Sequence, residues 1–334
     1  MTLRLNASDE FMHDPADEKT FNESMYFNFY DQHLKLGGFF RLGNRPNEQY
    51  AEQTICLYLP DNTVAFMFKR PEITSNNSFD ADGLKIQVIK PFEELSVDYV
   101  GSTLKLANPL ILNDPKEAFL NSPQIECTAT IKILKLSLPY GGEPEETTEI
   151  PGNEFARGHY EQLIKVKGAI KIGSDSYELN AYGLRDHSWG PRTWQALLYY
   201  RWLTGNFTED FGFMASNIVR SKDEIITTGF VWQKSNLYIC NSCTIDTTWD
   251  TKNLLHKSIS VTLKAMDKTW NITGEVFNIV PLRNRRKNSN GELLTTRISE
   301  GMTRWKLDNG SVGYGLSEYL DQINEGIPSG YVVS

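Results

Sequence analysis

Cysteine is scarce in this chain: Cys56, Cys127, Cys240 and Cys243 stand alone among 334 residues. So few thiols exclude a disulfide framework and read as reduced side chains of a core. Cys240-Asn241-Ser242-Cys243 has the spacing of a metal or redox pair, but no second Cys or His pair stands at ligand distance nearby. Leu237-Tyr238-Ile239-Cys240 reads as a strand, where residues three apart face opposite sides, so a zinc or redox role is not expected. Long apolar runs are missing as well, and Met1 to Glu10 has no basic stretch followed by an apolar segment. A cytoplasmic protein with no integral membrane segment is therefore expected. Positive charge is in deficit, 34 Lys and Arg against 42 Asp and Glu for a formal net charge of −8, which argues against nucleic acid as a partner. The one basic run, Arg283-Asn284-Arg285-Arg286-Lys287-Asn288 before Ser289-Asn290-Gly291, reads as a solvated hairpin tip. No phosphate-cradling glycine loop, dinucleotide fingerprint, nucleophile elbow or zincin helix occurs, and neither a cofactor nor a metal is expected.

What is present is β-pattern from end to end. Hydrophobic residues make up 40% and charged residues 23% of the chain, the balance of a folded globular protein. Gln53 to Leu59 and Thr63 to Lys69 alternate about Pro60-Asp61-Asn62, a hairpin about a turn-forming tripeptide. Similar runs recur at Leu84 to Lys90, Ser96 to Leu106, Ile125 to Leu138, Gln162 to Ile172 and Ser176 to Leu184. The second half repeats them at Leu197 to Leu203, Phe211 to Val219, Ile225 to Gln233, Leu237 to Ile245, Ser258 to Met266, Thr269 to Ile279, Thr303 to Leu307 and Ser311 to Leu320. Many consecutive strands with little helix predict an all-β protein of two antiparallel barrel domains. Pro139 to Gly152 is an acidic, Pro/Gly-rich loop, but the strands after it complete the first barrel, so the boundary is expected at the motif below: domains 1–184 and 185–334.

Leu184-Arg185-Asp186-His187-Ser188-Trp189-Gly190-Pro191-Arg192 concentrates two arginines, an acid, an imidazole and an indole in nine residues. The strand entering it has Tyr177, Leu179 and Ala181 on its more apolar parity, which sends Arg185, His187 and Trp189 to the same face. Buried polar groups need partners, and proteins place chemistry among them. The bland alternative is that His187 and Arg185 clamp two parts of the fold. Trp189, Trp194, Tyr199, Tyr200, Trp202, Phe207, Phe211 and Phe213 follow closely, suited to wall an apolar ligand and steady a cation, or to pack between domains. Near the end, Val312, Tyr314, Leu316, Glu318 and Leu320 share one parity, which puts Glu318 on an apolar face. There it either acts as a general acid or pairs with Arg185 or Arg192. In His159-Tyr160-Glu161-Gln162 the inward parity takes Tyr160 and Gln162. Arg41, Asn44, Arg45 and Glu48 form a polar cluster beside the aromatic strand Phe21 to Asp31, read equally as a clamp or as substrate contact.

Asp186-His187-Ser188-Trp189-Gly190 resembles the Asp-His-x-Trp-Gly signature of the hydroxyneurosporene synthase (carotenoid hydratase) and AttH-like superfamily of lipocalin-like proteins. The longer form, running to Pro191-Arg192, resembles one branch of it, as do Tyr26-Phe27-Asn28-Phe29, Arg41 to Glu48 and Ser317-Glu318-Tyr319-Leu320-Asp321. The resemblance implies two lipocalin-like barrels, a hydrophobic cavity, and cofactor-free protonation of an isoprenoid double bond followed by water addition. It puts His187 and Trp189 at the family's active-site imidazole and indole. Asp186 is carried over less firmly, since a strand neighbour faces the other side unless a bulge intervenes. Glu318 is chosen by parity as the general acid, with Trp189, Tyr199, Trp202 and Tyr314 as ligand wall and Arg185 or Arg192 on a polar substrate group. The resulting expectation is a cofactor-independent lyase, isomerase or cyclase acting on an apolar, isoprenoid or polyunsaturated small molecule. The alternatives are a lipocalin-like carrier and a catalytically dead structural partner; a homodimer is left open.

Overall fold

The computed structural model describes residues 3–145, 155–288 and 290–332; residues 146–152 of the acidic loop and Ser289 of the basic tip lie outside that range. The chain is all-β and forms two compact units, Met1–Asn108 with Lys116–Thr193, and Pro109–Pro115 with Trp194–Ser334. Among the described residues no helix is long and apolar enough to cross a membrane.

The N-terminal unit carries β1 (Leu3–Arg4), β2 (Phe21–Asp31), β3 (Leu36–Arg45), β4 (Tyr50–Tyr58), β5 (Val64–Lys69), β6 (Phe79–Ala81) and β7 (Leu84–Lys90). It continues with β8 (Glu94–Leu106), β9 (Gln124–Lys135), β10 (Tyr140–Pro144), β11 (Gly158–Ile172) and β12 (Asp175–Pro191). Its sheet runs β1-β10-β11-β12-β2-β3-β4-β5-β8-β7-β6, and β9 pairs with both β11 and β8. That double pairing closes a ring through β11, β12, β2, β3, β4, β5, β8 and β9, with antiparallel ladders throughout. Closure removes the free edges that would otherwise template aggregation, and a ring of this size encloses side chains or one small ligand. Strand β9 shows the underlying pattern: Cys127, Ala129, Ile131 and Ile133 are buried while Thr128, Thr130 and Lys132 between them are exposed. They join Phe27, Phe40, Ile55, Val97, Val166 and others in one core.

The C-terminal unit carries β13 (Tyr199–Thr208), β14 (Phe211–Ser221), β15 (Glu224–Gln233), β16 (Asn236–Ile239) and β17 (Ser242–Asp250). After these come β18 (Leu255–Ala265), β19 (Lys268–Lys287), β20 (Leu293–Leu307), β21 (Val312–Asn324) and β22 (Ile327–Pro328). The order is β16-β15-β14-β13-β21-β20-β19-β18-β17, so strands consecutive in sequence, β16 and β17, stand at opposite ends of the path. Only a strongly curled sheet allows this. The two residues between them bridge its ends, Cys240 N–H donating to the Gly229 carbonyl and Asn241 N–H to that of Lys264.

Three expectations are revised. The run Leu237 to Ile245 is two strands rather than one, because the chain crosses between sheet ends at Cys240-Asn241. Burial pushes the Cys240 and Cys243 thiols up to about 11 and about 12, as fits reduced, unreactive groups. The basic run is strand, not tip, through Lys287, since β19 pairs with β20 along Arg283–Arg297, Arg285–Thr295 and Lys287–Leu293. Finally, the expected division at 184/185 falls inside β12, which stays laddered to β11 and β2 as far as Trp189 and Pro191, whereas the compact units divide at Thr193/Trp194.

Candidate active site

Strand β12 is held between β11 and β2, and its register sets what each motif residue meets. Arg185 lies opposite Gln162 and Phe27, His187 opposite Tyr160 and Met25, and Trp189 opposite Gly158 and Glu23. The expected parity holds geometrically: Arg185, His187 and Trp189 are all buried, with His187 at 0% exposure. Asp186 points the other way, partly exposed, with a carboxylate oxygen 3.8 Å from His159 Nε2. Gly158 makes room for the indole, since any Cβ there would collide with the Trp189 ring.

Glu23, fully buried, is the hub of the cluster. Its Oε1 accepts from His13 Nδ1 at 2.7 Å and from His187 Nε2 at 3.0 Å. Its Oε2 accepts from the His13 backbone N–H at 2.8 Å and from Asn76 Nδ2 at 2.5 Å. Burial opposes ionisation of Glu23, but the hydrogen bonds from His13 and His187 outweigh it and hold the carboxyl down at about 2. An ionised carboxylate only accepts, so His13 carries its proton on Nδ1 and His187 on Nε2. The other ring nitrogens are Nε2 of His13, 4.0 Å from an Asp9 carboxylate oxygen, and Nδ1 of His187. His187 Nδ1 is buried with no hydrogen-bond partner, among the edges of Phe79, Tyr160 and Trp189. The His13 ring lies flat on the Trp189 indole, centroids 4.1 Å apart and planes 10° apart, and its side chain keeps 21% of its surface exposed.

A second buried carboxylate, Glu10, consumes Arg185. The guanidinium donates to both Glu10 oxygens at 2.6 and 2.8 Å and to Gln162 Oε1 at 2.8 and 3.0 Å, over the Tyr160 ring. Tyr160 O–H and the Phe92 N–H also donate to Glu10. Burial would raise the Glu10 pKa, yet the hydrogen bonds and charge of Arg185, with Tyr160 and Phe92, hold it below the usual carboxylate value. Arg185 is thus engaged on both sides, by the Glu10 carboxylate and the Gln162 amide oxygen. Arg192 is buried too, donating to Ser188 Oγ at 2.8 Å and the Phe155 carbonyl at 2.9 Å. Burial, together with Arg41, lowers its pKa to about 9.

A cavity of about 760 Å³ in the same unit brings His13 to accessible space. Its buried surface comprises Glu10, Asn76, Phe79 and Ile86, and its exposed rim includes Phe11, Asp14, Asn77, Ser78 and Gln87. One ring nitrogen each of His13 and His187 and one Glu23 carboxylate oxygen lie within 4.8 Å of one another, a donor set able to hold a metal ion. Four donors on one ionised carboxylate also form a complete hydrogen-bonded set, so the acid–base description accounts for the same atoms.

The other expected site residues lie in the C-terminal unit. Both faces of β21 are buried: on one, Gly313 and Gly315 let the backbone of β13 approach closely and Tyr319 stacks on buried His256, and on the other Glu318 lies between fully buried Leu316 and Leu320. Glu318, half-buried, accepts from the Tyr200 phenol. Trp202 is buried, Tyr199 sits against the Arg201 guanidinium, and Tyr314 meets Phe277 edge-on. Of the polar cluster read near the N-terminus, Arg41 and Arg45 flank buried Glu52 at 3.2 and 3.8 Å, and Arg45 also pairs with Glu48. Sequence reasoning missed His13, Glu10 and Asn76, which lie outside periodic strands. Glu23 was legible: it shares a parity with Phe21, Met25, Phe27 and Phe29, a lone carboxylate on an apolar stripe.

A family model described as Domain of unknown function (DUF7064) matches residues 6–323. No curated protein matches the sequence. Among solved structures, kievitone hydratase from Nectria haematococca is similar at a TM-score of 0.56 and 9% identity over 93% of each chain. CghA with Sch210972 is similar at 0.53 and 9%, over 97% of this chain and 98% of the other. NE1406, an AttH candidate of Nitrosomonas europaea, gives 0.47 and 12% over 95% of this chain and 97% of the other. The first two span both units, and at such identities they establish a shared fold.

Proposed function

The chain belongs to the DUF7064 family, and on that premise we propose that it is a hydratase- or cyclase-type lyase or isomerase that transfers protons to and from an apolar small molecule. One observation carries this reading: a partly exposed imidazole, His13, hangs on a buried ionised carboxylate, Glu23, at the wall of a 760 Å³ cavity. A carboxylate that holds Nδ1–H orients the ring and stabilises the imidazolium, leaving Nε2 to give or take the proton. In a hydration, protonated His13 adds its proton to a carbon–carbon double bond. Water then attacks the resulting cation, and the oxonium proton returns to His13. The Trp189 face stacked beneath the His13 ring stabilises its imidazolium form. His187, enclosed completely, acts as the second anchor of Glu23, and Arg185 acts through the Glu10 clamp. The fold shared with kievitone hydratase supports the hydratase class. An isoprenoid or polyunsaturated body suits the apolar part of the wall, Met12, Phe79, Ile86 and Val88.

A carrier is the second reading, favoured by the internal satisfaction of Glu10, Arg185 and Glu23. Incubation with a panel of unsaturated isoprenoid and polyketide-like compounds, followed by mass spectrometry, separates the two. New product from the native protein and none from His13→Asn supports the enzyme. Ligands that bind and are recovered unchanged from both proteins refute it.

A further inference from the structure

The cavity is unusual in the charge it lacks. Among the described residues, Glu10, His13 and Asp14 are the titratable groups on its wall, and no lysine or arginine lines it. The two arginines that the sequence offered for a polar substrate group are engaged elsewhere, Arg185 by Glu10 and Gln162, and Arg192 by Ser188 and the Phe155 carbonyl. Behind His13 stands the ionised carboxylate of Glu23. An anion entering this space would leave water and find, among the described residues of the wall, no ammonium or guanidinium to pair it: Glu10 already holds Arg185, Asp14 repels it, and the one group able to carry positive charge, His13, is held by Glu23; burying an unpaired charge is strongly unfavourable. The uncharged part of the wall is divided by depth. Phe79 and Ile86 are buried and Met12 and Val88 half-buried, whereas Asn77, Ser78 and Gln87 sit at the exposed rim.

From this division we infer that the cavity takes an uncharged apolar molecule bearing a hydroxyl or carbonyl group, and rejects carboxylates, phosphates and diphosphates. The inference rests on the reading of the cavity as the substrate site and adds the substrate's charge class to it. Its apolar body lies on Met12, Phe79, Ile86 and Val88, and its oxygen meets the amides and hydroxyl of the rim or His13 Nε2. Such a ligand loses no ionic hydration on entry.

The test uses a matched pair of probes, 1-decanol and decanoate, titrated calorimetrically into the full chain at pH 8, where decanoate is ionised. Decanol is expected to bind at least about tenfold more tightly, the scale of like-charge repulsion at partly screened separations. Ile86→Trp and, at a more tolerant half-buried position, Val88→Trp fill the cavity and are expected to abolish decanol binding, with folding checked by circular dichroism. Asp14→Lys with Gln87→Lys places two ammonium groups at the rim and is expected to raise decanoate affinity relative to decanol by about fivefold or more. Decanoate binding the native protein as tightly as decanol overturns the charge inference and leaves the site reading standing. No binding of either probe, or binding that survives both tryptophan variants, overturns the site reading itself.

Discussion

Replacing Glu23 with Gln tests the centre of the argument, because the two side chains have nearly the same shape and differ in what they can accept. Glu23 accepts four hydrogen bonds, two on each oxygen. Glutamine has one acceptor oxygen and turns an N–H₂ group toward the other pair of donors, so two charge-assisted bonds become donor–donor contacts. At about 1.5–3 kcal/mol for each bond to a charged group, the loss is roughly 3–6 kcal/mol. Proton linkage gives an independent figure: a carboxyl held at about 2 instead of 4.5, at about 1.4 kcal/mol per tenfold change in proton affinity, contributes about 3 kcal/mol. Because the folded pKa is depressed, this stability is fully present above pH 4.5 and disappears as pH falls through about 2. The assay is chemical denaturation of both proteins from pH 7 to pH 2.5, followed by circular dichroism. The native protein should be more stable than Glu23→Gln by about 3 kcal/mol at pH 7, and the gap should narrow steadily below pH 4.5 while other carboxylates cancel in the difference. A variant as stable as the native protein at pH 7, or a gap that does not change with acid, would refute the description of Glu23 as an ionised hub.

Arg185→Met leaves the Glu10 carboxylate buried without its cation and should cost about 3–5 kcal/mol, whereas adding Glu10→Gln should restore part of the loss; equal stability of single and double variants in urea denaturation speaks against the clamp. Gly158→Ala pushes a methyl group into the Trp189 indole, so a loss of about 1–3 kcal/mol is expected, measured as a lowered Tm together with altered tryptophan fluorescence; an unchanged Tm shows that the indole has room to move. Once a substrate is in hand, His13→Asn should reduce kcat by about 10²–10⁴-fold. Glu318→Gln, at a residue that with its partner Tyr200 belongs to the C-terminal unit, should leave kcat near the native value. The reverse order of effects in steady-state kinetics moves the chemistry away from His13.

Strand periodicity carried most of the architecture. Alternation in runs such as Ile125 to Leu138 specifies which side chains turn inward, because side chains along a strand point alternately to its two faces whatever the partner strand. The same rule put Arg185, His187 and Trp189 on a buried face and set Asp186 apart from them. At β21 parity placed Glu318 between buried Leu316 and Leu320 but could not say that the opposite face is buried too, where Gly313 and Gly315, by lacking a side chain, let β13 pack against them. Periodicity also cannot see pairing between distant strands. Glu23 shows a carboxylate on an apolar stripe, but not that β2 ladders with β12 and so places it beside His187, 164 residues away. His13, Glu10 and Asn76 were beyond reach, since they sit on irregular segments with no repeat to read, and only closure of the barrel draws those segments onto Glu23 and Arg185. The sequence alone determined the strands and their inward faces, because those depend on neighbours in the chain. The tertiary structure decided which carboxylate meets which imidazole, because that depends on register between strands that the local pattern leaves free.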